Sequence, residues 1–249
     1  MRGELNFGSI AFHRRSVRPD LGAGDRQKGN AADNGGGIYS LIGSLKLSGS
    51  TVVSNTAGYG AGVSNNNNGI TVSTVTLENS TLSGNNAAFA GGGLDNNGIA
   101  ILLNVTISNN GAPSGGGLDN GPSATVLLTN TILAYSTNGG NCRGAITAAK
   151  FSLSSDNLCG LSGNINTHNP NNLDPLLTAL GNYGGPTLVH MLKHDSPVLD
   201  GVVGSDAPLV DQRGQPRPGV TSGIDPGAVE RQPNDSDLVP WLFLPLVRR

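Results

Sequence analysis

Asp95 and Asp119 are the two residues of this sequence whose type and spacing come closest to a catalytic or metal-binding pair. They are the only aspartates between residues 35 and 141. Two carboxylates about 5 Å apart suit a retaining glycosidase, or half of a calcium site. Because this stretch adds only Lys46 and Glu78 as further charges, structural turn aspartates are the preferred interpretation, with calcium ahead of catalysis as the alternative.

The two cysteines, Cys142 and Cys159, lie 17 residues apart. A disulfide between them would stabilise the fold by about 3 kcal/mol and would require an oxidising compartment. A structural zinc site would need histidine ligands, and none of the four histidines is near the cysteines in the sequence. We therefore predict a disulfide, with free thiols as the alternative.

Tyr59 and Phe89 each lie one or two residues before a glycine segment. Exposed aromatic rings can form a platform for a sugar, so the two residues are candidate ligand contacts. Packing of the rings between neighbouring coils is the preferred alternative.

These candidate residues belong to a repeated pattern. Four glycine segments, each followed by an aliphatic residue, start 24 to 31 residues apart and occupy 35–40, 60–65, 91–96 and 115–120. A second motif lies between them and starts at Thr51, Thr81, Thr106 and Thr131. Two motifs that keep nearly the same period indicate a solenoid, in which equivalent residues stack about 4.8 Å apart.

Alignment of the repeats predicts continuous columns of equivalent residues. The apolar columns are Leu47, Leu77, Leu102 and Leu127, and Val52, Leu82, Ile107 and Ile132. The amide columns are Asn55, Asn85 and Asn110, and Asn65, Asn96 and Asn120. Stacked aliphatic side chains would bury a core that no single coil could bury, and stacked amides would hydrogen-bond between coils.

The repeats predict an all-β protein, a right-handed single-stranded parallel β-helix with a loop-rich C-terminal capping region. The period is too short for a helix and two strands in each coil, and the leucine-rich repeat pattern is absent. The predicted parts are an irregular basic leader (1–34), β-helix coils (35–165), the capping region (166–231), and a linker with an apolar tail (232–249). The leader contains Arg14, Arg15 and Arg18. We expect this reading frame to begin inside a longer protein.

Charge and hydrophobicity favour neither nucleic acid nor a membrane as partner. The formal net charge is −2, and no stretch approaches the roughly 20 apolar residues that span a bilayer. Only 13% of the residues are charged, so asparagine, serine and threonine must supply the polar surface. No cofactor is predicted.

The glycine segments and the later aliphatic-x-x-Asn motif resemble the repeats of polymorphic outer membrane proteins and bacterial β-helix adhesins. Those proteins usually have phenylalanine where this chain has Val52, Leu82 and Ile107. The resemblance is therefore to the architecture.

The second half resembles the choice-of-anchor Q domain of bacterial surface β-helix proteins. Its ordered pieces are 141–144, 154–160, 172–177, 182–190, 196–200, 211–218 and 224–230. Pro226 departs from the usual apolar residue, and a cysteine often found before it is missing. The resemblance implies a secreted or surface-displayed protein in which Asp211, Arg213 and Arg217 have structural roles.

The leading functional hypothesis is a non-catalytic secreted or cell-surface module, adhesin-like or structural. Its partner would be an extracellular polysaccharide or a host or cell-surface protein. The alternative is a carbohydrate-active enzyme, a polysaccharide lyase or glycoside hydrolase, on the same fold. A functionless fragment is the third hypothesis.

Overall fold

The structure is a computed structural model of the 249-residue chain. It describes residues 10–12, 20–21, 25–27, 29–31, 33–163, 165, 168–204, 207–218 and 223–238. Arg14, Arg15 and Arg18 of the basic leader and the apolar tail 239–249 lie outside the described residues.

The described part of the chain contains eighteen strands, all of them before residue 155. In chain order they are β1 (Ile10–Phe12), β2 (Asp20–Leu21), β3 (Asp25–Gln27), β4 (Ile38–Ser40), β5 (Gly43–Ser48), β6 (Thr51–Val53), β7 (Thr56–Tyr59), β8 (Val63–Asn65), β9 (Ser73–Ser83), β10 (Asn86–Ala90), β11 (Leu94–Asn96), β12 (Ile99–Ser108), β13 (Leu118–Asn120), β14 (Thr125–Thr129), β15 (Ile132–Ala134), β16 (Cys142–Arg143), β17 (Ala148–Lys150) and β18 (Leu153–Ser154).

Every hydrogen-bonded pair of these strands is parallel. Equivalent strands of successive coils stack into four sheet faces, which we call walls A to D. Wall A is the sheet β1-β4-β8-β11-β13-β16. Wall B holds β2, β5, the first halves of β9 and β12, β14 and β17, and wall C holds β3, β6, the second halves of β9 and β12, β15 and β18. Wall D is β7 and β10, extended by bridges at Asn30, Asn34, Gly111, Ser114 and Asn138. The all-β parallel solenoid predicted from the repeats is confirmed.

The core consists of apolar columns that run inside the tube. Leu47, Leu77 and Leu102 lie in register on wall B and are at most 1% exposed. On wall C, Val52 pairs with Leu82, which pairs with Ile107. Each column makes the interior continuous from coil to coil, as the repeat predicted.

The predicted apolar columns are wrong by one residue in the fourth coil. Leu102 pairs with Leu128, and Leu127 pairs with Ile101 on the outer face. On wall C, Ile132 pairs with Thr106, so Leu133 is the residue that continues the Val52 column. The sequence offers two leucines in a row at this point, and a slip of one residue along a strand exchanges its inner and outer faces.

Both predicted amide ladders are confirmed. Asn55 Nδ2 donates to Asn85 Oδ1 at 2.8 Å, and Asn85 Nδ2 donates to Asn110 Oδ1 at 2.9 Å. Asn65 bonds Asn96, and Asn96 bonds Asn120, each at 2.7 Å. An amide carries both donors and an acceptor, so identical side chains can satisfy one another in a buried stack.

The basic leader is not irregular throughout. Strands β1, β2 and β3 pair in parallel with β4, β5 and β6, so the solenoid pattern begins before residue 35. The sequence signal was missing because no glycine segment of the usual form marks this coil.

The predicted disulfide between Cys142 and Cys159 is formed, with Cα atoms 4.9 Å apart. Cys142 pairs with Leu118 and therefore continues the inner column of wall A. Both cysteines belong to the main apolar core. The disulfide thus closes one end of that core.

The C-terminal region (residues 166–231) caps the solenoid only in part. Its segment 170–173 bonds the free edge of β18, since Ser154 N donates to Pro170 O and Leu173 N donates to Ser154 O. Most of its other contacts are lateral, along the outer face of wall C. The capping region therefore covers the outer face of wall C as well as the end of the solenoid. None of the described residues forms a helix that could span a membrane.

Candidate functional site

The two candidate acids are brought together on wall A. Asp95 pairs in register with Asp119, which pairs in register with Arg143. The Arg143 guanidinium forms an ion pair with Asp119, including an Nη2–Oδ2 contact of 2.8 Å. The result is a column of two acids and one base, with both aspartates at most 4% exposed.

Burial and the neighbouring Asp119 raise the pKa of Asp95 to about 7. Its Oδ2 accepts hydrogen bonds from the side chains of Ser64, at 3.5 Å, and Asn97, at 3.1 Å. Gly91 lies against Asp95 with a φ of 64°, and a Cβ added to Gly91 would lie 2.6 Å from the Asp95 Cβ. Because the acids are enclosed and Arg143 supplies the balancing charge, the pair suits a structural column better than a catalytic dyad or a calcium site.

The two aromatic candidates are also brought together, on the outer face of wall D. The ring centroids of Tyr59 and Phe89 are 5.1 Å apart with an interplanar angle of 35°. Tyr59 is 40% exposed and Phe89 is 57% exposed. The rings therefore pack on each other and also present apolar surface to solvent.

The outer face of wall C is where the C-terminal region docks. Its outward column, Thr51, Thr81, Thr106, Ile132 and Leu153, is at most 1% exposed. The threonine end of the column is polar, and the Ile132 and Leu153 end packs into a second apolar cluster with the C-terminal region. The C-terminal region therefore forms hydrogen bonds with the threonines at one end of the column and apolar contacts with Ile132 and Leu153 at the other end.

Gln212 is the side chain that joins the C-terminal region to two coils at once. Its Oε1 accepts from the Thr81 hydroxyl at 2.7 Å, and its Nε2 lies 2.8 Å from the Thr51 hydroxyl. The same Nε2 donates to Ser50 O and lies 2.9 Å from the Thr187 hydroxyl. Gln212 therefore binds equivalent threonines of two successive coils.

His190 makes a second polar contact between the two parts. Its Nδ1 lies 2.8 Å from Thr178 O, and its Nε2 lies 2.9 Å from Ser83 Oγ. A carbonyl oxygen can only accept, so Nδ1 carries the proton and Nε2 accepts from the serine. Burial lowers the pKa of His190, which favours this neutral form.

Two buried ion pairs hold the C-terminal region together. Arg213 Nε lies 3.0 Å from Asp211 Oδ2, and both side chains are at most 1% exposed. Arg217 Nη1 lies 2.9 Å from Glu230 Oε2. The structural role implied for Asp211, Arg213 and Arg217 fits these contacts.

The segment 232–237 is docked, which contradicts its prediction as a linker. Asp235 Oδ2 lies 3.0 Å from Arg213 Nη1, and Asp237 Oδ1 lies 2.6 Å from Arg231 Nη1. Arg231 lies only six residues before Asp237, whereas Arg213 comes from a separate motif, and the proline and small polar residues of 232–237 gave no sign of either pair.

An open cleft of about 590 Å³ in the C-terminal region contains an acid cluster that sequence reasoning missed. Carboxylate oxygens of Asp200, Asp225 and Glu230 lie within 4.8 Å of one another. Burial raises the pKa of Asp225 to about 6 and that of Glu230 to about 7. The available signal was the position of all three acids in the motifs that resemble the choice-of-anchor Q domain.

Backbone and arginine donors engage both buried acids of this cleft. Asp225 accepts from the backbone amides of Asp200 and Arg231, at 2.8 Å each. Glu230 Oε2 accepts from Asp225 N at 3.0 Å as well as from Arg217. These hydrogen bonds stabilise the wall of the cleft. Asp200 is the exposed acid of the cluster.

Comparison with known proteins adds no relative: no family model, no curated protein and no solved structure matches this chain. The geometry of the described residues is therefore what supports a function.

Proposed function

We propose that this chain is a non-catalytic secreted or cell-surface β-solenoid that serves as a binding or structural module. The observation that carries the proposal is the state of the Asp95–Asp119 pair. Both acids are buried, and Arg143 neutralises Asp119 in the next coil. A catalytic pair needs access to substrate and a free acid and base, and this column provides neither.

The disulfide supports an extracellular location. A buried, formed cystine between Cys142 and Cys159 is compatible with an oxidising compartment, where such bonds persist. The resemblance to choice-of-anchor Q and polymorphic outer membrane proteins points the same way, toward display at a bacterial surface.

The cleft of Asp200, Asp225 and Glu230 favours a second candidate, a carbohydrate-active enzyme. Acids whose pKa values are raised inside a cleft are typical of active sites, although structural ion-pair networks produce the same effect. Here the hydrogen bonds to Asp225 and Glu230 are all internal to the fold. We therefore rank this candidate second.

The test is an activity assay on the full chain. Purified protein is incubated with neutral and anionic polysaccharides, and new reducing ends and unsaturated products are measured against heat-denatured protein. We expect no product above that control. Product formation that is lost in Asp200→Asn, an exposed position whose substitution spares the buried acids, would overturn the proposal in favour of the enzyme.

A further inference from the structure

Tyr59 and Phe89 of wall D do not belong to the core of the solenoid. The interior here is a cluster of small side chains, Ala57, Ala61, Ala87 and Ala112. Tyr59 and Phe89 lie on the opposite, outer face, where they are 40% and 57% exposed. Packing of the solenoid core therefore does not explain why two large aromatic rings lie on the solvent side of wall D.

A β-bulge brings Phe89 beside Tyr59. Ala87 pairs with Ala57 and Ala90 pairs with Tyr59, so Ala88 and Phe89 together face the single residue Gly58. Bulges redirect side chains and bend a strand locally. This one interrupts an otherwise regular register and leaves the ring of Phe89 5.1 Å from that of Tyr59.

A row of exposed polar side chains runs next to the ring pair. Asn30, Thr56, Asn86, Gly111 and Asn138 lie in register across successive coils. All of them except Gly111 are exposed. Thr56 and Tyr59 are three residues apart on one strand, so the row and the rings bound a strip about 10 Å wide.

The strip is almost uncharged. Among the residues of wall D that the structure describes (30–31, 33–34, 56–59, 86–90, 111–114 and 137–138), Asp33 is the only charged one. Rings that stack on apolar sugar faces and amides that bond hydroxyls suit an uncharged, hydroxyl-rich ligand. An anionic polymer would find no cation among these residues and would meet the carboxylate of Asp33.

We infer that this strip of wall D is the binding surface of the module and that its ligand is a neutral polysaccharide. The inference rests on the proposed non-catalytic function and names the ligand class for it. Tyr59 and Phe89 contact the sugar faces, and the polar row with Asn86 at its centre bonds the sugar hydroxyls.

The test is affinity electrophoresis of the full chain in gels that contain hydroxyethyl cellulose, xylan or glucomannan, with polygalacturonate as the anionic comparison. We expect at least one neutral polysaccharide to retard the protein and polygalacturonate not to. Phe89→Ala and Tyr59→Ala should each weaken binding about tenfold, as expected for a central aromatic contact.

Two further variants separate binding from folding. Phe89→Leu retains apolar contact with Tyr59 but lacks a ring, so it should keep the melting temperature and still lose binding. Ile70→Ser changes an apolar side chain that is 91% exposed in the loop between walls A and B, and it should bind like the native chain.

Three results would overturn the inference: retardation by none of the neutral polysaccharides, equal retardation by polygalacturonate, or native binding by Phe89→Leu. Each of these leaves the non-catalytic function intact. Release of reducing ends or unsaturated products in the activity assay would instead count against the proposed function itself.

Discussion

The solenoid and the C-terminal region bury their polar side chains in different ways. The solenoid uses neutral amides that repeat in register, such as Asn55, Asn85 and Asn110. The C-terminal region uses individual ion pairs between residues that do not repeat, such as Asp211 with Arg213. Amides can stack on copies of themselves because each carries donors and an acceptor, whereas like charges in a column repel.

The Asp95–Asp119 column illustrates the limit of repetition. It places two acids in successive coils, and the pKa of Asp95 rises to about 7 as a consequence. The next residue in register is Arg143, which ends the series with a positive charge. Repetition therefore suits side chains that are self-complementary, and charges must alternate or stay outside the ladders.

The largest effect is expected from Arg213→Ala, which leaves Asp211 buried without its cation. Loss of one partner of a buried pair costs about 3–5 kcal/mol of unfolding free energy. Urea denaturation followed by circular dichroism measures the loss, and limited proteolysis should cut the C-terminal region before the solenoid.

Lys46→Ala is the matched control for Arg213→Ala. The Lys46–Glu78 pair is 3.1 Å long, with side-chain exposures of 42% and 24%, and exposed pairs contribute about 0–1 kcal/mol. Equal losses in the two variants would show that the C-terminal region does not depend on its buried charges.

Asn85→Ala should cost about 2–3 kcal/mol, because it leaves hydrogen-bonding groups of two neighbouring coils buried without partners. Asn85 Oδ1 accepts from Asn55 N and Nδ2, and Asn85 Nδ2 donates to Val52 O and Asn110 Oδ1. Equilibrium unfolding of the variant provides the measurement.

The control for the ladder is the next residue in the chain. Asn86→Ala alters an exposed amide and should stay within about 0.5 kcal/mol of the native stability. If both alanine variants unfold at the native denaturant concentration, the ladder does not stabilise the solenoid.

Asp95→Asn should stabilise the chain at pH 8 by roughly a few kcal/mol and leave it unchanged near pH 3. The folded carboxyl has a pKa of about 7 against 3.8 for its ordinary value, so it binds its proton more tightly when folded. Native stability therefore falls as pH rises from about 4 to 7, and the amide removes the part of this dependence that comes from Asp95. Melting temperatures from pH 3 to 8 test it.

The exposed acid Asp33 supplies the comparison for Asp95. Asp33→Asn also replaces one carboxyl by an amide, but at an exposed position, and its melting temperature is followed over the same pH range. An equally steep slope in Asp95→Asn and in Asp33→Asn would contradict the prediction and assign the dependence to other buried acids, such as Asp225 and Glu230.

The smallest effect is expected from Ser40→Asn, which extends an amide ladder by one coil. Ser40 pairs in register with Asn65, whose buried Oδ1 has no hydrogen-bond partner among the described residues. The introduced amide should donate to that oxygen and add about 1 kcal/mol, offset in part by loss of the Ser40–Ser73 bond. Thermal unfolding beside Ser40→Ala, which should be less stable than the native chain, shows whether the ladder can be lengthened.

The sequence by itself determined the solenoid, its amide ladders and the disulfide. Near-equal spacing forces equivalent residues into columns, and that inference needs no knowledge of the walls. It failed by one residue at Leu127 and Leu128, where adjacent residues of the same type make two registers equally consistent with the pattern.

Only the tertiary structure decided how the C-terminal region is placed and which charges meet. Gln212 bonds Thr51 and Thr81 across more than a hundred residues of sequence, and Arg217 pairs with Glu230. Each of these contacts occurs only once in the chain, so the period of the repeat does not predict them. In a repeat, the spacing of equivalent residues already indicates which residues lie next to each other. A contact between two residues that do not repeat depends on how the whole chain folds.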